Sequence, residues 1–260
     1  MSAPPLTWLY VPGDRPDRVE KALASRAHAV IVDLEDGVAP AAKDEARENV
    51  AALLAAAREK PVFVRVNAGS QADLEVVRTL PLAGVLVPKV ERPEDVPDGL
   101  AVHALVETAR GVEAAFVLAS HVGVRGLSLG EADLRSQTGA SEEGLDWPRS
   151  RVINAAVAAG LPRPPQSVYA QVRDLDGLVL SCARGRALGH LGRSAIHPDQ
   201  LEPIERAYLP TQAEVERARA TIATVESTGV GTVGDGAFVD AAMLGAARTT
   251  IALADAYGVV

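Results

Sequence analysis

The chain is poor in cysteine, in surplus basic charge and in long apolar runs. Its 260 residues hold one cysteine, Cys182. That excludes an intramolecular disulfide and a cysteine-based zinc site, and it fits a reducing compartment. Lys and Arg number 26 against 34 Asp and Glu, a formal net charge of −8. A chain this acidic is a poor general binder of phosphate backbones, although a local basic cluster suffices for one anionic ligand. No stretch approaches the roughly 20 apolar residues of a membrane helix. The opening Met1-Ser2-Ala3-Pro4-Pro5 has neither a basic n-region nor an apolar run, so no signal peptide is expected. The expectation is a soluble, cytoplasmic protein. What is present is ordinary globular composition, 48% hydrophobic and 23% charged.

Short apolar runs alternate with longer amphipathic stretches. The runs predict strands at Trp8–Val11, Val30–Leu34, Val62–Val66, Val85–Val87, Ala104–Val106, Gly126–Leu129, Ser167–Tyr169 and Ser194–Ile196, brief and Val/Ile-rich as buried parallel strands are. Helices are expected at Pro16–Arg26, with Asp14 as N-cap, and at Ala41–Arg58, Gln71–Thr79, Thr108–Ala119, Pro148–Ala159 and Asp174–Leu188. Eight strands with helices between them predict a (β/α)8 TIM barrel with its site at the C-terminal strand ends. An open doubly wound sheet is the alternative. The barrel core is placed at residues 1–210. Residues 211–260 form a C-terminal helical extension or lid of the same single domain, with helices at Glu214–Ser227 and Val239–Tyr257 around a glycine loop. That loop, Gly229-Val-Gly231-Thr-Val-Gly234, fits the dinucleotide glycine pattern but follows a helical stretch, so it reads as a flexible connection.

Polar residues collect just after the strands: Tyr10; Asp33, Glu35 and Asp36; Arg65 and Asn67; Lys89; Glu107; Glu131 and Asp133; His197. Such groups are costly at buried strand ends unless paired or liganded. Singly, each reads equally well as part of an ion-pair network closing the barrel top. Together they converge on one mouth. Glu107 and Asp133, from neighbouring strands, are the best metal pair, or else two solvated loop acids. Two carboxylates without Cys or spaced His indicate a hard cation, Mg²⁺. Arg65 suits a carboxylate or a developing oxyanion, or else serves as partner for the acids of Asp33–Asp36. Ile196, at the end of the last expected strand, and His197, just after it, are placed at the substrate; the other reading of His197 is a loop anchor.

Eight motifs in order carry a resemblance over nearly the whole chain: Tyr10-Val-Pro-Gly13, Asp33-Leu-Glu-Asp-Gly37, Ala42-Lys-Asp-Glu-Ala-Arg47, Val64-Arg-Val-Asn67, Val87-Pro-Lys89, Val106-Glu-Thr-Ala-Arg-Gly111, Leu129-Gly-Glu-Ala-Asp-Leu134 and Ala195-Ile-His-Pro198. The sequence resembles the citrate lyase β-subunit-like group of the HpcH/HpaI aldolase superfamily. That resemblance implies a trimeric or hexameric (β/α)8 barrel that cleaves or forms a carbon–carbon bond in 3-hydroxyacyl-CoA thioesters with Mg²⁺. Malyl-, methylmalyl- and citramalyl-CoA are the substrate type; an acyl-CoA and a 2-oxo acid, glyoxylate or pyruvate, are the products. It places metal ligands on Glu107 and Asp133 and the substrate arginine on Arg65. Thioester-side contacts fall on Tyr10, Arg18 and Lys21. An acid/base aspartate, which in the family can enter a neighbouring subunit's site, falls on Asp240 of Gly236-Ala-Phe-Val-Asp240. The chain departs from the family at Arg193, where Lys is common, and at Gln166 and Gln171, where acids are frequent. Ala241-Ala242 and Arg135-Ser-Gln-Thr138 also differ. These departures bear on substrate identity and lid closure, and they keep other readings open: an acyl-CoA thioesterase on the same site, an aldolase acting without CoA, a citrate lyase β subunit acting on a carrier-protein thioester, or a non-catalytic 2-oxo acid and Mg²⁺ binder.

Overall fold

The computed structural model describes residues 4–234 and 236–259; Met1–Ala3 of the opening segment lie outside them. Among the described residues two compact units are present, the larger over 5–207 and the smaller from 208 onward together with Pro4.

In the larger unit, strand and helix alternate: β1 (Thr7–Pro12), α1 (Pro16–Ala24), β2 (Ala29–Asp33), α2 (Lys43–Leu53), β3 (Val62–Arg65), α3 (Gln71–Val77), β4 (Gly84–Val87), β5 (Val102–Val106), α4 (Ala109–Ala119), β6 (Val124–Leu129), α5 (Glu131–Thr138), α6 (Asp146–Ala158), α7 (Leu175–Leu188) and β7 (Arg193–Ala195), followed by α8 (Leu201–Tyr208). The strands form one parallel sheet in the order β6-β5-β4-β3-β2-β1-β7. Parallel pairing requires a crossover between neighbours; helices supply most of them, and between β4 and β5 the connection holds only a 3-10 turn at Pro93–Asp95.

The expected seventh strand, Ser167–Tyr169, does not form a ladder, and the expected eighth, Ser194–Ile196, is β7. A single parallel bridge joins Gln166 to Arg193, through Gln166 N–H to Gly192 O and Ser194 N–H to Gln166 O, both 2.9 Å. The preceding Pro164-Pro165 lack N–H groups and cannot donate to a ladder, which confines pairing to Gln166. On the other side the Ser167 hydroxyl donates to the carbonyl of Leu129, the last residue of β6. The observed sheet is therefore seven-stranded among the described residues. Asp14 is also not the cap of α1; the N-cap position is Arg15, and no side chain caps it.

The register sorts the side chains. Trp8 pairs with Ala29 and Tyr10 with Ile31; Ile31 pairs with Phe63 and Asp33 with Arg65. Arg65 pairs with Leu86, Leu86 with His103, and Leu105 with Ser128. Residues of this parity face one side of the sheet. Low on that side, Trp8, Ile31, Leu86 and Leu105 form one buried cluster with Phe63 and Tyr10 against it. The opposite parity, Val30, Val32, Val64, Val85 and Ala104, is equally buried, as the helix-covered face of a parallel sheet must be. Truncating Leu86 to Ala would cost about 2–5 kcal/mol.

The smaller unit contains α9 (Gln212–Thr228), β8 (Val230–Thr232), β9 (Phe238–Asp240) and α10 (Leu244–Tyr257). Thr211 and Glu214 cap α9 reciprocally. The glycine stretch expected to be a flexible connection instead contributes β8, which pairs antiparallel with β9 from Val230↔Asp240 to Thr232↔Phe238. The hairpin packs Val233 and Val239 against Val225.

Candidate active site

Climbing the inward parity, apolar residues give way to polar ones at the C-terminal strand ends. Tyr10, Asp33, Arg65, Glu107 and Ser128 line a cavity of about 670 Å³, within the range of small-molecule sites.

Asp33 and Arg65 are its most tightly built pair. Arg65 Nε donates to Asp33 Oδ1 at 2.7 Å and Nη2 to Oδ2 at 2.6 Å, the planar fork-to-carboxylate match. The same carboxylate accepts Glu35 N–H at 2.9 Å and Gly37 N–H at 2.8 Å. A Cβ at Gly37 would sit 2.5 Å from Asp33 Oδ2, so only glycine lets the backbone approach. Arg65 Nη1 lies 3.1 Å from Glu35 Oε2 and 3.5 Å from Asp36 Oδ2, and the guanidinium stacks over the Tyr10 ring at 5.2 Å. Burial opposes the Arg65 charge, but the Asp33 hydrogen bonds and the acids around it raise its pKa overall. Burial also raises the Tyr10 phenol, against the pull of Arg65.

Glu107 is 3% exposed and its pKa is raised to about 7, first by burial and then by the charges of Glu35 and Asp133. Its Oε1 accepts the Lys89 N–H at 2.9 Å. Glu35 is also raised by burial; its Oε1 lies 3.4 Å from Lys89 Nζ, and its buried Oε2 has no hydrogen bond of good geometry. Burial opposes the Lys89 charge, yet Glu35 and Glu107 raise its pKa overall. A side chain at position 130 would collide with Glu107. Gly130 therefore brings α5 close, with Asp133 in its first turn.

Two carboxylates thus face one cavity with Glu35 close by, and the charged form of Glu107 is disfavoured by burial and by like charges. No group of three or more His, Cys, Asp or Glu capable of holding a metal occurs among the described residues. A hard cation completed by water and ligand oxygens needs only one or two carboxylates. Glu107 and Asp133 fit such a cation.

Of the other expected residues, Arg18 and Ile196 line the cavity. Lys21 does not: it is exposed, with Nζ 3.8 Å from Asp17. His197 lines a separate, smaller depression with Arg173 and Asp199, and its Nδ1 accepts the Asp199 N–H at 3.2 Å. It thus caps the turn that follows β7. Asp240 belongs to the smaller unit, where it ends β9 and its Oδ1 accepts the Ala242 N–H at 2.9 Å.

Two networks escape sequence reasoning. Arg149 is 2% exposed and grips Glu131 with Nε at 2.8 Å and Nη2 at 2.7 Å, while Nη2 also meets Glu142 at 2.7 Å. Lys43 Nζ holds Leu34 O at 2.6 Å, Glu35 O at 2.5 Å and Asn67 Oδ1 at 2.8 Å, fixing the backbone that carries Asp33 and Glu35. Lys89 is the one non-glycine residue at positive φ among those described, at 54°; such strain collects at functional sites.

Comparison with known proteins places the chain in a family. The HpcH/HpaI aldolase/citrate lyase family profile matches residues 6–198. A (3S)-malyl-CoA thioesterase of Cereibacter sphaeroides is 36% identical, over 95% of this chain and 94% of that protein. The mitochondrial citramalyl-CoA lyase of Rattus norvegicus is 29% identical, over 95% and 85%. The crystal structure of CitE from Mycobacterium tuberculosis, in complex with magnesium, acetoacetate and coenzyme A, matches at a TM-score of 0.86 with 33% identity, covering 97% of this chain and 98% of that one. The chain belongs to the HpcH/HpaI aldolase/citrate lyase family.

Proposed function

We propose that the protein is a Mg²⁺-dependent carbon–carbon lyase that cleaves, or forms, a 3-hydroxyacyl-CoA thioester of the malyl, methylmalyl or citramalyl type. The products are an acyl-CoA and a 2-oxo acid. The observation that carries this reading is the buried Glu107 carboxylate, disfavoured as a lone charge, facing the same cavity as Asp133 and Arg65. The kinship with a citramalyl-CoA lyase supports it. The Gln166–Ser167 segment is taken to stand in the place of an eighth strand closing a TIM barrel. A cytoplasmic trimer or hexamer, with residues 211–260 acting as a lid, belongs to the same reading.

Glu107 and Asp133 would hold Mg²⁺, which when bound supplies positive charge to the oxygens of a substrate carboxylate and hydroxyl. In cleavage the hydroxyl gives up its proton and the C–C bond breaks. The electron pair passes to the thioester carbon chain as an enolate, and that enolate is reprotonated to the acyl-CoA. Arg65 would face the enolate oxygen, and Asp33 holds its fork in one plane so that little reorganisation is needed. Arg18, Tyr10 and Lys21 are proposed on the thioester side, and Ile196 and His197 at the substrate. Asp240 would carry the proton to or from carbon.

A second reading has its own support. The 36% identical relative is a (3S)-malyl-CoA thioesterase, and hydrolysis in the same cavity would add water to the thioester carbonyl and release CoA as the thiol, with the C–C bond intact. A mass-spectrometric product assay with malyl-CoA and citramalyl-CoA plus Mg²⁺ decides. Acetyl-CoA with glyoxylate or pyruvate, absent in Asp133→Ala, establishes the lyase. Free CoA with malate or citramalate establishes the thioesterase. Unchanged thioesters would overturn both and point to a carrier-protein thioester or a non-catalytic binder.

A further inference from the structure

Arg65, partly buried, and the fully buried Arg149 and Arg193 line the cavity wall, and one differs from the others. Arg65 faces Asp33, Glu35 and Asp36; Arg149 faces Glu131, Glu142 and Asp146. Arg193 is 3% exposed, and no described carboxylate forms an ion pair with it. Its guanidinium donates from Nη1 to Ser181 Oγ at 2.9 Å and lies 3.7 Å from the Cys182 sulfur. It stands over the Tyr169 ring at 5.4 Å. Its Nε is buried without a hydrogen-bond partner.

Guanidinium cannot escape a buried position by losing its proton, and a buried charge without a counter-charge is costly. Gln166, whose Nε2 donates to Ser181 O at 3.1 Å, is amide where an acid would have neutralised the cluster. Arg193, Ser181, Tyr169 and Gln171 line the cavity that Glu107 and Asp133 also line. We infer that Arg193, with Ser181 and Gln171, forms a separate oxyanion site in the cavity wall that holds an anionic group of the substrate distant from the reacting carbon. The group is a phosphate of the thioester carrier or a second carboxylate of the acyl part. Assigning it to the substrate rests on the lyase reading; the cationic site itself does not.

The test is isothermal titration calorimetry on the full chain with Mg²⁺ present, for wild type, Arg193→Gln and Arg193→Lys. Coenzyme A is compared with pantetheine, which has no phosphate, and oxaloacetate with pyruvate, which has one carboxylate fewer. Arg193→Gln is expected to lose tenfold or more in affinity for one oxyanion-rich ligand, to bind its stripped counterpart as wild type does, and to be partly restored by Lys. A loss confined to coenzyme A assigns the phosphate, and one confined to oxaloacetate assigns the carboxylate. Unchanged affinities for all four ligands, or an equal loss for all four, would overturn the site. Should Arg193→Gln not melt cooperatively, Arg193→Lys decides. It keeps the charge and loses the fork, so a selective drop for one oxyanion-rich ligand supports the site and no change overturns it. If wild type binds none of the four, the lyase reading fails on its own; pyrophosphate and malonate, bound by wild type and not by the variants, would still support the site, and their failure to bind would sink it.

Discussion

The main-chain N–H of Lys89 donates to Glu107 Oε1 at 2.9 Å, from a residue held at φ 54°. The left-handed turn after β4 aims a backbone donor at the buried carboxylate of β5, and the Lys89 ammonium reaches Glu35 at 3.4 Å. For an L-residue that backbone costs roughly 1–2 kcal/mol, and glycine escapes the cost.

Lys89→Gly and Lys89→Val therefore separate the two functions of this residue. The glycine variant keeps the N–H bond to Glu107 and should stay within about 1 kcal/mol of wild-type stability in urea. The valine variant puts a β-branched residue at positive φ and should lose more than about 1–2 kcal/mol. Equal stability of the two variants would show that the backbone there is unstrained.

Glu107 makes metal binding and stability depend on pH in a defined direction. Its pKa is raised from 4.5 to about 7 in the fold, so between those values the native state holds a proton that the unfolded chain has released. Metal-free stability should fall as pH rises from about 4.5 to 7, while Mg²⁺ affinity rises over the upper part of that window. Glu107→Gln should remove both dependences, gain about 1–3 kcal/mol in metal-free stability at pH 8, and bind Mg²⁺ at least about tenfold more weakly. Thermal melts and Mg²⁺ calorimetry at pH 5.5 and 8 read both effects; a flat wild-type profile would remove Glu107 from the metal site.

Two acids of one loop should behave unlike each other. The Asp33 side chain is 5% exposed and bidentate to Arg65, whereas that of Asp36 is 65% exposed and 3.5 Å away. Asp33→Ala leaves Arg65 buried short of its main counter-charge and should cost about 3–5 kcal/mol. Asp36→Ala should cost under about 0.5 kcal/mol. Similar midpoints in denaturant for the two variants would refute the pairing drawn here.

The strand ends are legible in the sequence for a physical reason. Buried parallel strands leave no room for charge along their length, so an apolar run that ends in Asp33, Arg65 or Glu107 announces where the cavity starts. The strand expected at Ser167–Tyr169 does not form because the two prolines before it, Pro164 and Pro165, cannot donate to a ladder. Helix α5, spanning Glu131–Thr138, lacks an apolar stripe and escapes periodicity. The hairpin of Val230–Thr232 and Phe238–Asp240 is hidden by its glycines. Arg149 could not be found from spacing, because its acids at 131, 142 and 146 meet only once α5 and α6 have folded. His197 has a local partner that its position after a strand does not announce: its Nδ1 accepts the Asp199 N–H of the following turn.

Acid should destabilise the protein through two buried imidazoles. His103 and His190 are each lowered from 6.5 to about 4, chiefly by burial. His103 Nε2 is 2.7 Å from Ser128 Oγ, and its ring packs 5.4 Å from Trp8. With the folded pKa depressed, the stability that the neutral ring contributes is complete above about pH 6.5 and is lost as pH falls toward 4, because the unfolded chain takes the proton first. His103→Gln, which can still bond Ser128, should reduce the slope of stability against pH in that window by about one proton. Denaturant titrations from pH 4 to 7 measure it, and an unchanged slope would mean that His103 ionises freely in the fold.

Asp240 bears the proton-transfer assignment on the resemblance of Gly236-Ala-Phe-Val-Asp240 to a lid motif, and its carboxylate caps the turn at Ala242 in the smaller unit. Asparagine keeps an oxygen for that cap and removes the base. Asp240→Asn should therefore fold with wild-type stability, bind Mg²⁺ with wild-type affinity, and turn over about 10²–10⁴-fold more slowly. The comparison that matters is with Asp133→Ala, which should lose Mg²⁺ affinity along with turnover. If Asp240→Asn keeps wild-type turnover, the proton moves through another group; if it loses Mg²⁺ affinity in step with turnover, its role is in assembling the site instead.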